Sequence, residues 1–226
     1  MKIFLDTADT RIIGKHFIET GLIDGITTNP TLIMKSGQNP DTVYFDLVKL
    51  GVKDISMEVV SDTSQGMLEE AERLINKFHD VVTIKVPCTR EGLIACKQLA
   101  DRGIRVNVTL IFSASQAILS AKAGAKYISP FVGRVDDQRF GGCNLIKRIR
   151  EVLSPSWKLY NIQKYDCPEI LAASIRSVGD VEYSFAQGAD VCTMPPSIFD
   201  KMYNHIMTDD GLKTFNDDWK TLMEKQ

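Results

Sequence analysis

Short apolar runs rich in β-branched residues alternate with longer amphipathic runs along the whole chain. The short runs predict buried strands, and the amphipathic runs between them predict helices. The predicted strands lie near residues 2–6, 24–29, 54–60, 81–86, 104–110, 127–132, 169–175 and 190–195. Predicted helices include Thr63–Phe78, Thr89–Asp101, Ser113–Ala123 and Ser177–Gln187.

Eight strands alternating with helices predict an α/β fold, a single closed (β/α)8 TIM barrel spanning residues 1–226. The alternative is a doubly wound open sheet, which usually carries a glycine-rich phosphate loop after an early strand. Neither G-x-G-x-x-G nor G-x-x-x-x-G-K-[ST] occurs in the sequence, and this favours the barrel. Residues 208–224 predict an additional amphipathic helix, a C-terminal arm with Phe215 and Trp219 on one face.

The charge, apolar segments and cysteines of the chain limit the kinds of partner and the compartment that are expected. The formal net charge is −2, with both signs interspersed, so no basic surface for nucleic acid or a membrane is predicted. No segment is apolar for long enough to predict a signal peptide or a membrane span, and a cytoplasmic protein is expected. The five cysteines are odd in number and widely spaced, which is typical of reduced thiols in the cytoplasm. Neither a metal cluster nor a Ser-His-Asp triad is predicted.

Lys85 is the most informative residue, because it lies within the apolar run Val81–Pro87. A charge is costly to desolvate in a buried strand, whereas an uncharged amine is a nucleophile that forms Schiff bases with carbonyls. The alternative is a lysine that reaches water at the strand end or pairs with a carboxylate.

The alternation along each strand separates an apolar face from a polar one, and helices cover the outside of a barrel. The polar face must then point into the barrel mouth, where barrel enzymes keep their sites. The polar or inward positions on seven strands are Asp6; Thr27 and Asn29; Ser56 and Glu58; Thr83 and Lys85; Asn107 and Thr109; Ser129 and Phe131; and Ser174 and Arg176.

These residue types suggest a particular chemistry. An amine (Lys85) beside two carboxylates (Glu58 and Asp6) suits Schiff-base formation followed by making or breaking a carbon–carbon bond. A static salt-bridge cluster is the alternative. The polar groups of Asn29, Asn107, Thr109 and Ser129 suit a polyhydroxylated substrate, and Arg134 and Arg176, with Ser174, suit a phosphate. A non-catalytic sugar-phosphate-binding barrel would be expected to keep the arginines and lose the lysine or the carboxylates.

Six motifs in order along the chain resemble those of the transaldolase family, in particular its short bacterial-type branch, which also contains the fructose-6-phosphate aldolases. The motifs are Phe4–Ala8, Gly25–Thr31, Thr83–Pro87, Asn107–Ser113, Ser129–Arg134 and Ala172–Arg176. The stretches 139–143 and 157–161 match no motif of the family.

The resemblance implies a transferase of the pentose phosphate pathway. Such an enzyme moves a dihydroxyacetone unit from sedoheptulose 7-phosphate to glyceraldehyde 3-phosphate, giving erythrose 4-phosphate and fructose 6-phosphate, without metal or organic cofactor. It implies Lys85 as the Schiff-base lysine, Asp6 as the acid/base at the bond cleaved, and Glu58 with Thr109 as holders of a proton-relaying water. It further implies hydroxyl-orienting roles for Thr27, Asn29, Asn107 and Ser129, and a phosphate site of Arg134, Ser174 and Arg176.

The alternative within the family is a fructose-6-phosphate aldolase. Aldolase-type relatives carry Gln in place of Glu58 and Tyr in place of Phe131, so this chain has the transaldolase pair. The short branch usually assembles as pentamers or decamers, and the resemblance therefore implies a homo-oligomer in which the C-terminal helix reaches a neighbour.

Overall fold

The computed structural model describes residues 1–153 and 167–224. Residues 157–161, which match no family motif, lie outside this part of the chain. Eight parallel strands pair in sequence order, and β8 pairs with β1 to close the barrel. The strands are β1 Lys2–Asp6, β2 Gly25–Thr27, β3 Ile55–Glu58, β4 Val82–Pro87, β5 Val106–Ile111, β6 Tyr127–Pro130, β7 Glu169–Ala172 and β8 Val191–Met194. The predicted (β/α)8 barrel is confirmed.

Helices surround the barrel, and most pairs of consecutive strands are connected by one helix. Within the described residues they are α1 Thr10–Thr20, α2 Pro30–Ser36, α3 Pro40–Lys49, α4 Ser64–Phe78, α5 Arg90–Asp101, α6 Ala114–Lys122, α7 Val132–Asp137, α8 Gly142–Val152, α9 Val178–Ala186, α10 Pro196–Lys201 and α11 Ile206–Met223, with a 3₁₀ turn at His79–Val81. Most strands are shorter than predicted, because several apolar residues at their carboxyl ends lie in connecting loops or begin a helix, as Val132 does in α7.

The outward strand faces pack against the helices and form the main hydrophobic core. Leu5, Ile26, Ile55, Ile84 and Ile128 are completely buried there. The strands are covered by helices on the outside and by one another's side chains on the inside. Burial on both faces explains the apolar runs from which the strands were predicted.

A separate, smaller cluster fills the inside of the barrel with Phe4, Tyr127, Leu171, Ala173 and Val191. The rings of Phe4 and Tyr127 meet edge to face with centroids 5.9 Å apart. The Tyr127 hydroxyl donates to Asp54 Oδ2 at 2.7 Å, and Thr83 donates to Asp54 Oδ1 at the same distance. The interior is therefore packed and cross-linked below its mouth, and the space for a ligand lies at the carboxyl ends of the strands.

The C-terminal helix α11 differs from the others because none of its residues is buried. Leu212, Phe215, Trp219 and Leu222 are all at least 49% exposed and repeat at helical spacing. Within the described residues, no helix is both long and apolar enough to span a membrane.

Candidate active site

A cavity of about 130 Å³ opens at the carboxyl ends of the strands. Every strand except β3 contributes to its wall directly or through the residues that follow it. Its lining residues are Asp6, Thr27, Asn29, Lys85, Asn107, Thr109, Ser129, Phe131, Arg134, Leu171, Ala173, Ser174 and Thr193. The cavity thus brings together ten of the twelve residues predicted from sequence.

Glu58 joins this group through a contact with the lysine. The β3–β4 register pairs Glu58 with Lys85, so their side chains project side by side. Lys85 Nζ lies 2.9 Å from Glu58 Oε2, and the side chains are only 7% and 19% exposed. The second partner of the amine is the Thr28 carbonyl oxygen, 3.0 Å away. Lys85 is therefore buried and held by two acceptors, and it does not reach bulk water.

These two acceptors have a chemical consequence. An unprotonated amine has two N–H bonds and one lone pair. If Glu58 and the Thr28 carbonyl each accept one N–H, the lone pair points away from both acceptors.

Asp6 lines the same cavity at the end of β1. Its Oδ1 accepts a hydrogen bond of 2.7 Å from the Thr27 hydroxyl. Burial raises the pKa of Asp6 above its ordinary value, against the opposing effects of the Lys85 charge and the Thr27 hydrogen bond. Asp6 therefore retains a proton to higher pH than an exposed aspartate, as suits an acid/base group.

The remaining polar groups of the inner wall form a connected layer. Asn107 donates through Nδ2 to Ser56 Oγ at 3.2 Å and accepts from the Ser129 hydroxyl at 2.6 Å. The Thr109 hydroxyl differs, since it is buried and has no hydrogen-bond partner within the described residues. Buried hydroxyls are rarely left unpaired. The Thr109 hydroxyl is thus a polar group of the cavity wall that makes no hydrogen bond within the described residues.

Asn29 and Arg134 occupy opposite parts of the rim. The Asn29 side chain caps helix α2 by accepting from Leu32 N at 3.0 Å. The Arg134 guanidinium lies over the Phe131 ring, 4.9 Å from its centroid, and the Phe112 ring lies 5.7 Å from that of Phe131. Arg134 also lines a wider neighbouring cavity of about 750 Å³, so it lies between the inner site and open space.

The predicted inward face of strand seven is wrong. Leu171 and Ala173 point into the barrel, whereas Ser174 and Arg176 were expected to do so. Ser174 still lines the cavity, because the chain turns there with a positive φ of 59°. A Cβ on Gly133 would collide with the Ser174 carbonyl oxygen, so the close approach of helix α7 to this turn depends on glycine.

Arg176 lies outside the cavity wall. Its guanidinium forms a bidentate ion pair with Asp137, including a contact of 2.7 Å between Nη2 and Oδ2, and its side chain is 53% exposed. The pair holds the pKa of Asp137 below its ordinary value. Arg134 and Ser174 thus both line the cavity, whereas the Arg176 guanidinium lies outside the cavity wall and is paired with Asp137.

Two polar residues of the site, Thr193 and Thr28, were missed from the sequence. Thr193 follows the same alternation as the other strands, lying between Cys192 and Met194, and could have been found by extending that pattern to strand eight. Thr28 contributes its backbone carbonyl, so its side chain carries no signal of this role. No group of three or more His, Cys, Asp or Glu residues in the described part of the chain is arranged to hold a metal ion.

The fold and this cavity define a barrel enzyme with a buried lysine and two carboxylates at its mouth. Comparison with known proteins agrees with this class. The sequence profile of the transaldolase/fructose-6-phosphate aldolase family matches residues 3–226. The chain belongs to this family.

Relatives from several organisms match over nearly their full lengths. A probable transaldolase from Caulobacter vibrioides is 47% identical over 219 residues, 97% of this chain and 96% of the relative. One from Nitrosopumilus maritimus is 48% identical, with 97% and 95% covered. One from Lactiplantibacillus plantarum is 43% identical, with both chains covered completely.

We expect Asp6→Asn to be at least as stable as the wild type at pH 7. When folding raises the pKa of a carboxyl, the folded protein loses stability as the pH rises from the ordinary pKa of 3.8 to the raised pKa. The loss is complete once the pH is above the raised pKa. Asparagine avoids the loss and keeps an oxygen to accept from Thr27. Thermal unfolding from pH 4 to 8 measures this difference, and the exposed Asp218→Asn is the control. A variant clearly less stable at pH 7 than at pH 4, relative to wild type, would contradict the expectation.

Proposed function

We propose that the enzyme is a transaldolase of the pentose phosphate pathway. It transfers a dihydroxyacetone unit from sedoheptulose 7-phosphate to glyceraldehyde 3-phosphate through a Schiff base on Lys85. The products are erythrose 4-phosphate and fructose 6-phosphate, and the reaction uses neither metal nor organic cofactor. The observation that carries the proposal is the Lys85 amine, buried in the barrel mouth between Glu58 and the Thr28 carbonyl.

The first step is attack of the Lys85 lone pair on the ketone carbon of the donor sugar. A carbon–nitrogen bond forms, and the ketone oxygen takes a proton to give a carbinolamine. Loss of that oxygen as water leaves the iminium ion. We infer that Glu58 and Thr109 hold a water that carries these protons; the contact of Glu58 with Nζ and the unpaired Thr109 hydroxyl support this role.

The second step breaks the bond between carbons 3 and 4 of the donor. Asp6 takes the proton from the hydroxyl on carbon 4, the aldehyde leaves, and the bonding electrons move into the iminium to form an enamine. An acceptor aldehyde then reacts in reverse, with Asp6 returning the proton, and addition of water to the new iminium breaks the carbon–nitrogen bond and releases the product and the Lys85 amine. The raised pKa of Asp6 supports this role, because a carboxylate with a higher pKa is a stronger base.

The remaining residues orient the substrate. Thr27, Asn29, Asn107 and Ser129 surround the cavity with groups that bind sugar hydroxyls. Arg134 and Ser174 bind the phosphate end, with Arg176 contributing from its position beside Asp137. Because Arg134 also borders the wider cavity, the phosphate end has room beyond the inner site.

A fructose-6-phosphate aldolase is the second candidate within the family. The apolar Phe131 favours transfer, because its ring is flanked by Phe112 and Arg134 and limits water access to the three-carbon intermediate. An aldolase would release that intermediate to water as free dihydroxyacetone.

Borohydride treatment in the presence of fructose 6-phosphate should attach the three-carbon unit or the sugar irreversibly to Lys85. The reagent reduces the imine to a stable secondary amine, and peptide mass mapping locates it. Lys85→Met should remain unlabelled.

A label on another lysine of the wild type would refute the assignment of Lys85. The same preparation separates the two activities. Rates of dihydroxyacetone release without an acceptor that equal the rates of transfer would identify an aldolase.

Glu58→Gln should reduce turnover by about 100-fold or more, because the amide cannot exchange the proton that carbinolamine formation and dehydration require. Steady-state transfer kinetics measure the effect. Glu69→Gln, an exposed carboxylate on α4, is the control and should retain wild-type rates. Near-normal turnover of Glu58→Gln would reject the proton-relay role.

Arg134→Gln should raise KM by about tenfold or more for glyceraldehyde 3-phosphate while changing KM for glyceraldehyde little, since a charge-assisted hydrogen bond is lost only with the phosphate. Arg148→Gln alters another arginine of the wider cavity and serves as the matched control. Equal losses on both aldehydes would remove Arg134 from the phosphate site.

We further propose that the enzyme is a cytoplasmic homo-oligomer, a pentamer or a decamer. The cytoplasmic assignment rests on cysteine usage. The assembly is supported by α11, whose stripe of Leu212, Phe215, Trp219 and Leu222 is exposed on the single chain. A contiguous apolar stripe of this kind is typical of a surface covered by another subunit.

Trp219→Asp should lower the mass measured by light scattering toward that of a monomer, because a carboxylate is costly to bury in an apolar interface. Lys213→Ala on the same helix is the control and should leave the assembly intact. An unchanged mass for Trp219→Asp would exclude this stripe from the interface.

A further inference from the structure

Strand β8 contributes one polar side chain to the site, the hydroxyl of Thr193. Thr193 is 3% exposed, and its Oγ1 lies 2.7 Å from Thr27 Oγ1. Thr27 Oγ1 in turn lies 2.7 Å from Asp6 Oδ1. Two short hydrogen bonds therefore link side chains from three neighbouring strands: Thr193 on β8 is bonded to Thr27 on β2, and Thr27 is bonded to Asp6 on β1.

The direction of these bonds follows from the protons available. An ionised carboxylate only accepts, so the Thr27 proton is directed to Asp6 Oδ1. A hydroxyl has one proton, and Thr27 has none left for Thr193. The bond between the two threonines is therefore donated by Thr193 and accepted by Thr27. The same order persists when Asp6 is protonated on Oδ2, since Oδ1 remains an acceptor.

We propose that Thr193 is a positioning residue, whose hydroxyl fixes the Thr27 proton on Asp6 Oδ1 and thereby reserves Oδ2 for proton exchange with the substrate. Thr193 acts on the reaction only through Thr27 and Asp6. The catalytic consequence rests on the proposed function, whereas the effect on Asp6 itself does not.

Two features of the structure make this arrangement effective. Thr27 is 2% exposed, so water does not replace a missing donor at its oxygen without a change in packing. Hydrogen bonds in a chain also polarise one another, and the donor on Thr27 strengthens the bond that Thr27 gives to the carboxylate. Without Thr193, the ionised form of Asp6 is stabilised less.

The test compares Thr193→Val, which keeps the branched shape and removes the hydroxyl, with Thr193→Ser, which keeps the hydroxyl. The Asp6 carboxyl carbon is followed by ¹³C NMR titration and assigned with Asp6→Asn. Thr193→Val should move the pKa of Asp6 upward and Thr193→Ser should restore it. In transfer assays, Thr193→Val should lower kcat by about three- to tenfold and leave KM nearly unchanged.

Thr83→Val is the matched control, because Thr83 also donates from a buried strand position to a carboxylate, that of Asp54. It should leave the Asp6 titration unmoved. If Thr193→Val has the Asp6 titration of the wild type, or Thr193→Ser fails to restore it, the positioning role is overturned. Failure of the borohydride trap on wild type would instead refute the Schiff-base mechanism and leave the titration result standing.

Discussion

The site depends on one buried ion pair, between Lys85 on β4 and Glu58 on β3. A lone ammonium in the barrel mouth would be costly to desolvate, and the contact of 2.9 Å with a carboxylate offsets that cost. The pair exists because the β3–β4 register places the two residues directly opposite each other. A shift of one residue would turn either side chain to the helix-covered outside. Closure of the barrel holds that register, and the Thr28 carbonyl from the β2 side adds the second acceptor for the amine.

Around this pair, the polar groups of the mouth largely bind one another. Thr193, Thr27 and Asp6 form one chain, and Ser56, Asn107 and Ser129 form another. These networks orient the side chains before any substrate enters, and such preorganisation reduces the reorganisation that a reaction requires. The groups left for chemistry are correspondingly few. They include the amine lone pair, the second oxygen of Asp6 and the unpaired Thr109 hydroxyl.

The parts of the site predicted well share a physical cause. On strands one to six, residues alternate between a helix-covered face and the barrel interior, apart from an irregularity in β5 between Val108 and Ile111, so Lys85, Asn107 and Ser129 were placed inward from the sequence alone. On β7 and directly after it, the inward residues are Leu171 and Ala173, which are apolar and small enough to pack inside. The polar residues after them suggested the opposite face. Ser174 enters the cavity through a left-handed backbone turn, which alternation does not encode, and Arg176 is drawn to Asp137, which is distant in sequence.

The sequence by itself determined the eight strands, their alternation with helices, and the chemical types present at the mouth, because burial imposes a local pattern on each element. The tertiary structure decided which of those groups meet. Strand register brought Glu58 to Lys85, barrel closure brought β8 beside β1 and so Thr193 to Thr27, and a carbonyl at Thr28 became a ligand of the amine. Such contacts join residues far apart in the chain, and their geometry exists only once the barrel has closed.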